Sequence, residues 1–132
     1  MKFTPDTNLL VRIAVMDDEI QTATALRALE KADSIVVPLT TLCELVWVLR
    51  QSYKRPAANV AASLRGLLDS SIVETNRPAA DAGIAVLLAG GDFADGVIAF
   101  EGAQAGGSTF LTFDNRAASL VRKIGVEADL LA

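Results

Sequence analysis

Apolar positions along the chain fall into short β-branched runs and longer stretches of helical period. Lys2 to Pro5 predicts a short strand that carries the chain to Asp6. A helix from Asn8 to Val15 follows, and a second from about Asp17 to Ala32, opened by the acids Asp17, Asp18 and Glu19 that suit a helix N-terminus. In that second helix Ile20, Ala23, Leu26 and Leu29 recur every three residues and read as one apolar stripe. Ser34 to Val37 is a β-branched run stopped by Pro38, hence a buried strand. Helices are then predicted from Thr40 or Thr41 to about Tyr53 and from Arg55-Pro56 to near Asp69, with a brief strand Ile72 to Glu74. Pro78 suits the first turn of a helix reaching Leu88, closed by Gly90-Gly91. Phe93 to Ala105 reads as a helix, Thr109 to Thr112 as a strand, Asn115 to Ile124 as a helix and Val126 to Leu130 as a last strand.

Strands separated by helical crossovers imply an α/β protein, a three-layer sandwich whose central, mostly parallel sheet of about four to five strands is flanked by helices. The 132 residues are one domain's worth, and 52% hydrophobic with 21% charged is an ordinary globular balance. No basic segment leads into a long apolar run at the start, and no eighteen-residue apolar stretch occurs, so neither a secretory signal nor a membrane span is expected. With a single, unpaired thiol, the cytoplasm is the expected location.

Two absences narrow the chemistry. The chain has no histidine and one cysteine, Cys43. Imidazole acid–base catalysis, a Ser-His-Asp or Cys-His nucleophile, an internal disulfide and a Cys/His zinc site are therefore excluded. An enzyme built on this chain works with carboxylates, hydroxyls, a few cations and a hard metal ion.

The carboxylates carry the interest. In open α/β sheets, sites form outside the carboxyl ends of the strands, where Asp6 and Asp114 both fall. Each also suits a helix N-cap. Asp92 and Asp95 open a helix three residues apart, a spacing that equally reads as a capping box. Glu44 is different. It sits mid-helix in Leu42-Cys43-Glu44-Leu45-Val46-Trp47-Val48-Leu49 with no cation three or four positions away. The alternatives for it are a functional carboxylate, a salt bridge to a distant arginine, or an exposed edge. Two unit charges 4 Å apart repel by roughly 4 kcal/mol at an effective dielectric near 20. Several acids at one place therefore need protons or a divalent cation, and oxygen-only donors favour Mg2+ or Mn2+. Twelve Lys and Arg against sixteen Asp and Glu give a net charge of −4. Without Asp6, Glu44, Asp92, Asp95 and Asp114 the balance is eleven acids to twelve bases, so the acidity of the chain resides in these candidates.

Asp6-Thr7-Asn8-Leu9-Leu10-Val11-Arg12, the segment around Glu44, Gly91-Asp92-Phe93-Ala94-Asp95 and Leu111-Thr112-Phe113-Asp114 occur in an order and spacing that resembles PIN-domain ribonucleases, specifically the VapC toxins of bacterial toxin–antitoxin pairs. The resemblance spans essentially the whole chain. It implies metal-dependent hydrolysis of RNA phosphodiesters, with Asp6, Glu44, Asp95 and Asp114 holding Mg2+ or Mn2+ and Asp92 as an additional acid. Asp114 or Asp92 would orient the attacking water. Thr7, Asn8 and Thr112 match polar positions lining the family's site. Arg12 and Arg116 are candidate phosphate contacts, or solvated surface arginines. The resemblance further implies a homodimer and a VapB-type antitoxin. Leu42 to Leu49 and the second helix offer apolar surface for such partners, with ordinary core packing as the alternative. Pro5 and Gly96 depart from the family's usual residues. Pro5 threatens the first strand's last hydrogen bond, and Gly96 should loosen its helix slightly. Two other readings compete, a catalytically inactive PIN-like binding module and a phospho-receiver signalling domain. The latter lacks its acidic pair after the first strand and its lysine after the last.

Overall fold

The computed structural model describes residues 1–132 and shows seven helices and five strands, every strand pair parallel. The α/β class is thus as the residue pattern implied. The chain divides into two compact units, Met1–Thr75 and Asn76–Ala132, and the strands divide with it, three in the first unit and two in the second.

The first unit runs β1 (Lys2–Phe3), α1 (Thr7–Val15), α2 (Glu19–Glu30), β2 (Ser34–Val36), α3 (Leu39–Gln51), α4 (Ala57–Leu68) and β3 (Val73–Glu74). The strand order is β1-β2-β3, with Phe3 opposite Ile35 and Ile35 opposite Val73. β1 is only two residues long, and Pro5, which has no N–H to donate, lies buried just beyond it. Exposed side chains tie the three strands together across the sheet. Lys2 Nζ donates to Glu74 Oε1 at 3.1 Å, and the Ser34 hydroxyl donates to the other oxygen of the same carboxylate. Those two donors, Ser34 first, hold the Glu74 carboxyl below its ordinary value.

α3 supplies the core with Leu42, Leu45, Val46 and Leu49, spaced one and two turns apart. They are joined by Leu10 and Val11 of α1 and Val60, Leu64 and Leu68 of α4, all buried. The rest of the Leu42–Leu49 segment is not core: Trp47 is 62% exposed. The stripe expected on α2 does not form. Ile20 is 80% exposed and Leu26 is exposed, while Thr22 and Ala25 are the buried residues. A strict spacing of three advances about 300° per step at 3.6 residues per turn, so four such residues sweep half-way round the helix instead of lining one face. Thr22 instead ties α2 to α1, its hydroxyl donating to the Arg12 carbonyl at 3.1 Å.

The second unit runs α5 (Arg77–Leu88), α6 (Phe93–Gln104), β4 (Phe110–Thr112), α7 (Asn115–Lys123) and β5 (Ala128–Leu130), with Leu111 opposite Asp129 in its ladder. Ala99, Ala118, Val121, Val126 and Ala128 form its core cluster, flanked by Phe100, Phe110 and Ile124. α5 and α6 are the most closely packed elements, and two glycines permit it. A Cβ on Gly83 would lie 2.7 Å from Phe93 and Val97, and one on Gly96 would lie 2.8 Å from the Ala82 carbonyl oxygen and 2.9 Å from the Gly83 Cα. Gly96 is therefore a contact residue of the helix pair, where the sequence suggested only a loosened first turn. No helix of the chain is long and apolar enough to cross a membrane.

Candidate active site

In the first unit, Asp6 is the N-cap of α1, its Oδ1 accepting from the Leu9 amide at 2.9 Å. Thr7 and Asn8 form the first turn behind it. Glu44 lies mid-way along α3 and is exposed, with no salt bridge to a distant arginine. It faces a cleft of about 530 Å³ whose other lining residues include Thr7, Asn8, Arg12, Ser52 and Tyr53. Asp6 opens on a neighbouring depression of about 290 Å³ that shares Asn8 and Arg12 with that cleft. Four candidates of this unit, Thr7, Asn8, Arg12 and Glu44, are thus brought to one cleft, with Asp6 at the next.

Arg12 is not a solvated surface arginine. Its side chain is 19% exposed and is held on two sides, Nη1 donating to Asp17 Oδ1 at 2.9 Å and Nη2 donating to the Tyr53 hydroxyl at 2.7 Å. The Tyr53 hydrogen bond, working against burial and helped by the charge of Asp17, keeps the guanidinium above its ordinary value. Nε is buried with no hydrogen-bond partner.

In the second unit, Asp92 is the N-cap of α6, its Oδ1 accepting from the Ala94 amide at 3.0 Å. Asp114 is the N-cap of α7, its Oδ1 accepting from the amides of Arg116 and Ala117 at 2.9 and 3.1 Å. Thr112 ends β4 and accepts the Asp114 amide on its hydroxyl at 3.0 Å, fixing the turn that presents Asp114. Asp95 lies in the first turn of α6, half-buried. Burial, and then the charges of Asp92 and Asp114, push its carboxyl above the ordinary aspartate value. Asp95 therefore feels the charges of both other acids. Arg116 is exposed. Its guanidinium lies against the backbone of Gly90, where a Cβ would collide with it, and it makes no ion pair with the acids.

Capping and catalysis are not rivals at these positions. In Asp6, Asp92 and Asp114 the Oδ1 atom satisfies a helix terminus and the second oxygen has no hydrogen-bond donor. A rigid carboxylate with one oxygen held and one presented is a suitable ligand for a hard cation. None of Asp6, Glu44, Asp92, Asp95 and Asp114 has a cationic partner, whereas Asp17, Asp33, Glu74 and Asp81 each do. As they stand, no three acids of either unit lie close enough to grasp a metal ion. The donor set still fits one: all oxygen, unpaired, and in Asp95 uncomfortable with its own charge.

Ser52, Tyr53 and Asp17 were not singled out by the residue pattern. Ser52 lies two turns beyond Glu44 on α3, so extending that helical face would have found it. Asp17 and Tyr53 are remote from Arg12 in sequence and carried no signal.

Residues 4–123 match the family model of the PIN domain, a span that reaches from just after β1 to the end of α7. No curated protein matches the chain.

Proposed function

The chain belongs to the PIN-domain family, whose members are generally nucleases, and from that premise we propose that it is a divalent-metal-dependent endoribonuclease acting as the toxin of a VapC-type toxin–antitoxin pair. The observation that supports this most is the set of acids just described: five carboxylates without a cationic partner, three of them pinned to a helix terminus by one oxygen with the other oxygen free. Asp6, Glu44, Asp95 and Asp114 are the proposed metal ligands, for Mg2+ or Mn2+, with Asp92 as an additional acid. Such a cation, when bound, acidifies water and neutralises charge growing on the phosphate.

The protein's own contribution is positional. The caps of α1 and α7 hold Asp6 and Asp114 so that the free oxygen of each has one direction. Asp114 or Asp92, each with an uncommitted carboxylate oxygen, orients the attacking water and accepts its proton. Thr7 and Asn8 supply polar contacts beside Glu44, and Thr112 keeps Asp114 in place. With no histidine in the chain, the leaving oxygen takes its proton from solvent. A homodimer, a VapB-type antitoxin as partner and a cytoplasmic location complete the proposal. Exposed Trp47 and Ile20 give such partners apolar surface on α3 and α2.

The test is RNA cleavage by purified protein with Mg2+ or Mn2+ and with EDTA. Cleavage is expected only with metal, and is expected to vanish in Glu44→Ala and in Asp6→Asn, the latter keeping the cap of α1. Asp6→Ala should lose activity and also about 1 kcal/mol of stability with the cap. Cleavage undiminished in both Glu44→Ala and Asp6→Asn would refute the assignment.

A further inference from the structure

The cleft beside Glu44 is lined by one cation, Arg12, that the proposed chemistry leaves unused. It lies between one face of α1, carrying Asn8 and Arg12 a turn apart, and one face of α3, carrying Glu44, Val48 and Ser52 at successive turns. Ser52 is eight residues past Glu44, about 12 Å along the helix at 1.5 Å per residue. The Arg12 guanidinium is tied to Tyr53, the residue just after Ser52. We propose that Arg12 is a phosphate clamp of this cleft, holding an RNA backbone phosphate that flanks the one cleaved.

The chemistry is that of an arginine fixed before its ligand arrives. Five N–H donors radiate from a guanidinium in a plane that matches the oxygens of a phosphate. Asp17 takes one from Nη1 and the Tyr53 hydroxyl one from Nη2, which immobilises the group and leaves the remaining donors uncommitted. Asp17 does not cancel the cation, because a pair with a 44% exposed carboxylate is largely screened by water. The hydroxyls of Thr7 and Ser52 and the Asn8 amide add neutral donors, and Glu44 is the single acid lining the cleft. Arg12 is the one cationic side chain lining the cleft to offset that acid for an approaching polyanion.

This inference rests on the ribonuclease reading, and the two fail separately. The experiment measures binding of a short fluorescein-labelled uridine oligonucleotide to the whole chain by anisotropy, in EDTA so that nothing is cleaved, across about 50 to 200 mM salt. Arg12→Gln is expected to weaken binding and to flatten the slope of log K against log salt by about 0.7, one phosphate contact on a single strand. Arg12→Lys and Tyr53→Phe keep the charge, so each is expected to bind more weakly with the parental slope. A parental slope in Arg12→Gln overturns the proposal. If Arg12→Gln does not fold, arginine modification by phenylglyoxal decides on the unaltered protein. The oligonucleotide should slow adduct formation at Arg12 but not at exposed Arg27, and a rate at Arg12 unchanged by the oligonucleotide overturns the clamp. An unaltered protein that neither binds the oligonucleotide nor cleaves RNA refutes the ribonuclease reading itself. One that cleaves RNA while Arg12→Gln keeps its slope removes the clamp alone.

Discussion

Asp6, Asp92 and Asp114 each present one oxygen to the first amides of a helix and keep the other oxygen free. Local folding thereby aims the carboxylates and removes the entropy a metal would otherwise have to overcome. Asp95 caps nothing, and its environment is the least comfortable of the set. Burial and the charges of Asp92 and Asp114 raise its carboxyl above the ordinary aspartate value, so the folded chain binds that proton more tightly than the unfolded one. The stability this confers is complete below about pH 4 and is lost as pH rises through the raised value. Asp95→Asn should abolish that part of the pH dependence and, without metal, melt higher than the parent at neutral pH. Thermal melts of both proteins over a pH series check this, and equal melting temperatures at neutral pH would show that Asp95 is not under electrostatic strain.

At the scale of elements, the α5–α6 pair decides where the acids of the second unit stand, because α6 begins at Asp92 and carries Asp95 immediately before Gly96. The absence of a side chain at Gly96 is what lets the two helices touch. Alanine is ordinarily better than glycine in a helix by about 1 kcal/mol, but overpacking costs about 1 to 3 kcal/mol, and here the obstruction is backbone. Gly96→Ala is therefore expected to destabilise the protein in urea titrations. Gly66→Ala, at an exposed position of α4 where a Cβ meets nothing within 4 Å, should stabilise it by up to about 1 kcal/mol. A stabilised Gly96→Ala would mean that the helices are not in the contact described.

Those two glycines also mark what the sequence could and could not disclose. Periodicity located every strand and helix, because burial imposes period and caps impose boundaries: Asp18, Asn76, Asp92 and Asp114 all stand where helices start. It misjudged α2, where a spacing of three mimicked a stripe. It could not say that Gly96 faces a neighbouring helix, which is a property of packing. Asp6, Asp92 and Asp114 were legible as caps because a carboxylate before a helix satisfies its orphan amides, whereas the exposure of Glu44 depends on packing. Arg12 was legible only as a nearby cation, since its tethers, Asp17 and Tyr53, come from a loop and from the end of α3.

For the molecule as a whole, charge is partitioned. The candidate acids hold the entire net negative charge, and the remaining residues are nearly neutral. Indiscriminate binding of nucleic acid is thus disfavoured, and selectivity is left to grooves such as the one that Arg12 lines. The central claim is that acids distant in sequence, Glu44 in the first unit and Asp95 in the second, are metal ligands. Melting temperature under Mn2+ titration tests it most directly, since a ligand of the folded state raises stability with the logarithm of its concentration. The unaltered protein should melt progressively higher, and both Glu44→Gln and Asp95→Asn should lose that rise. A rise in both variants equal to that of the unaltered protein would contradict the account.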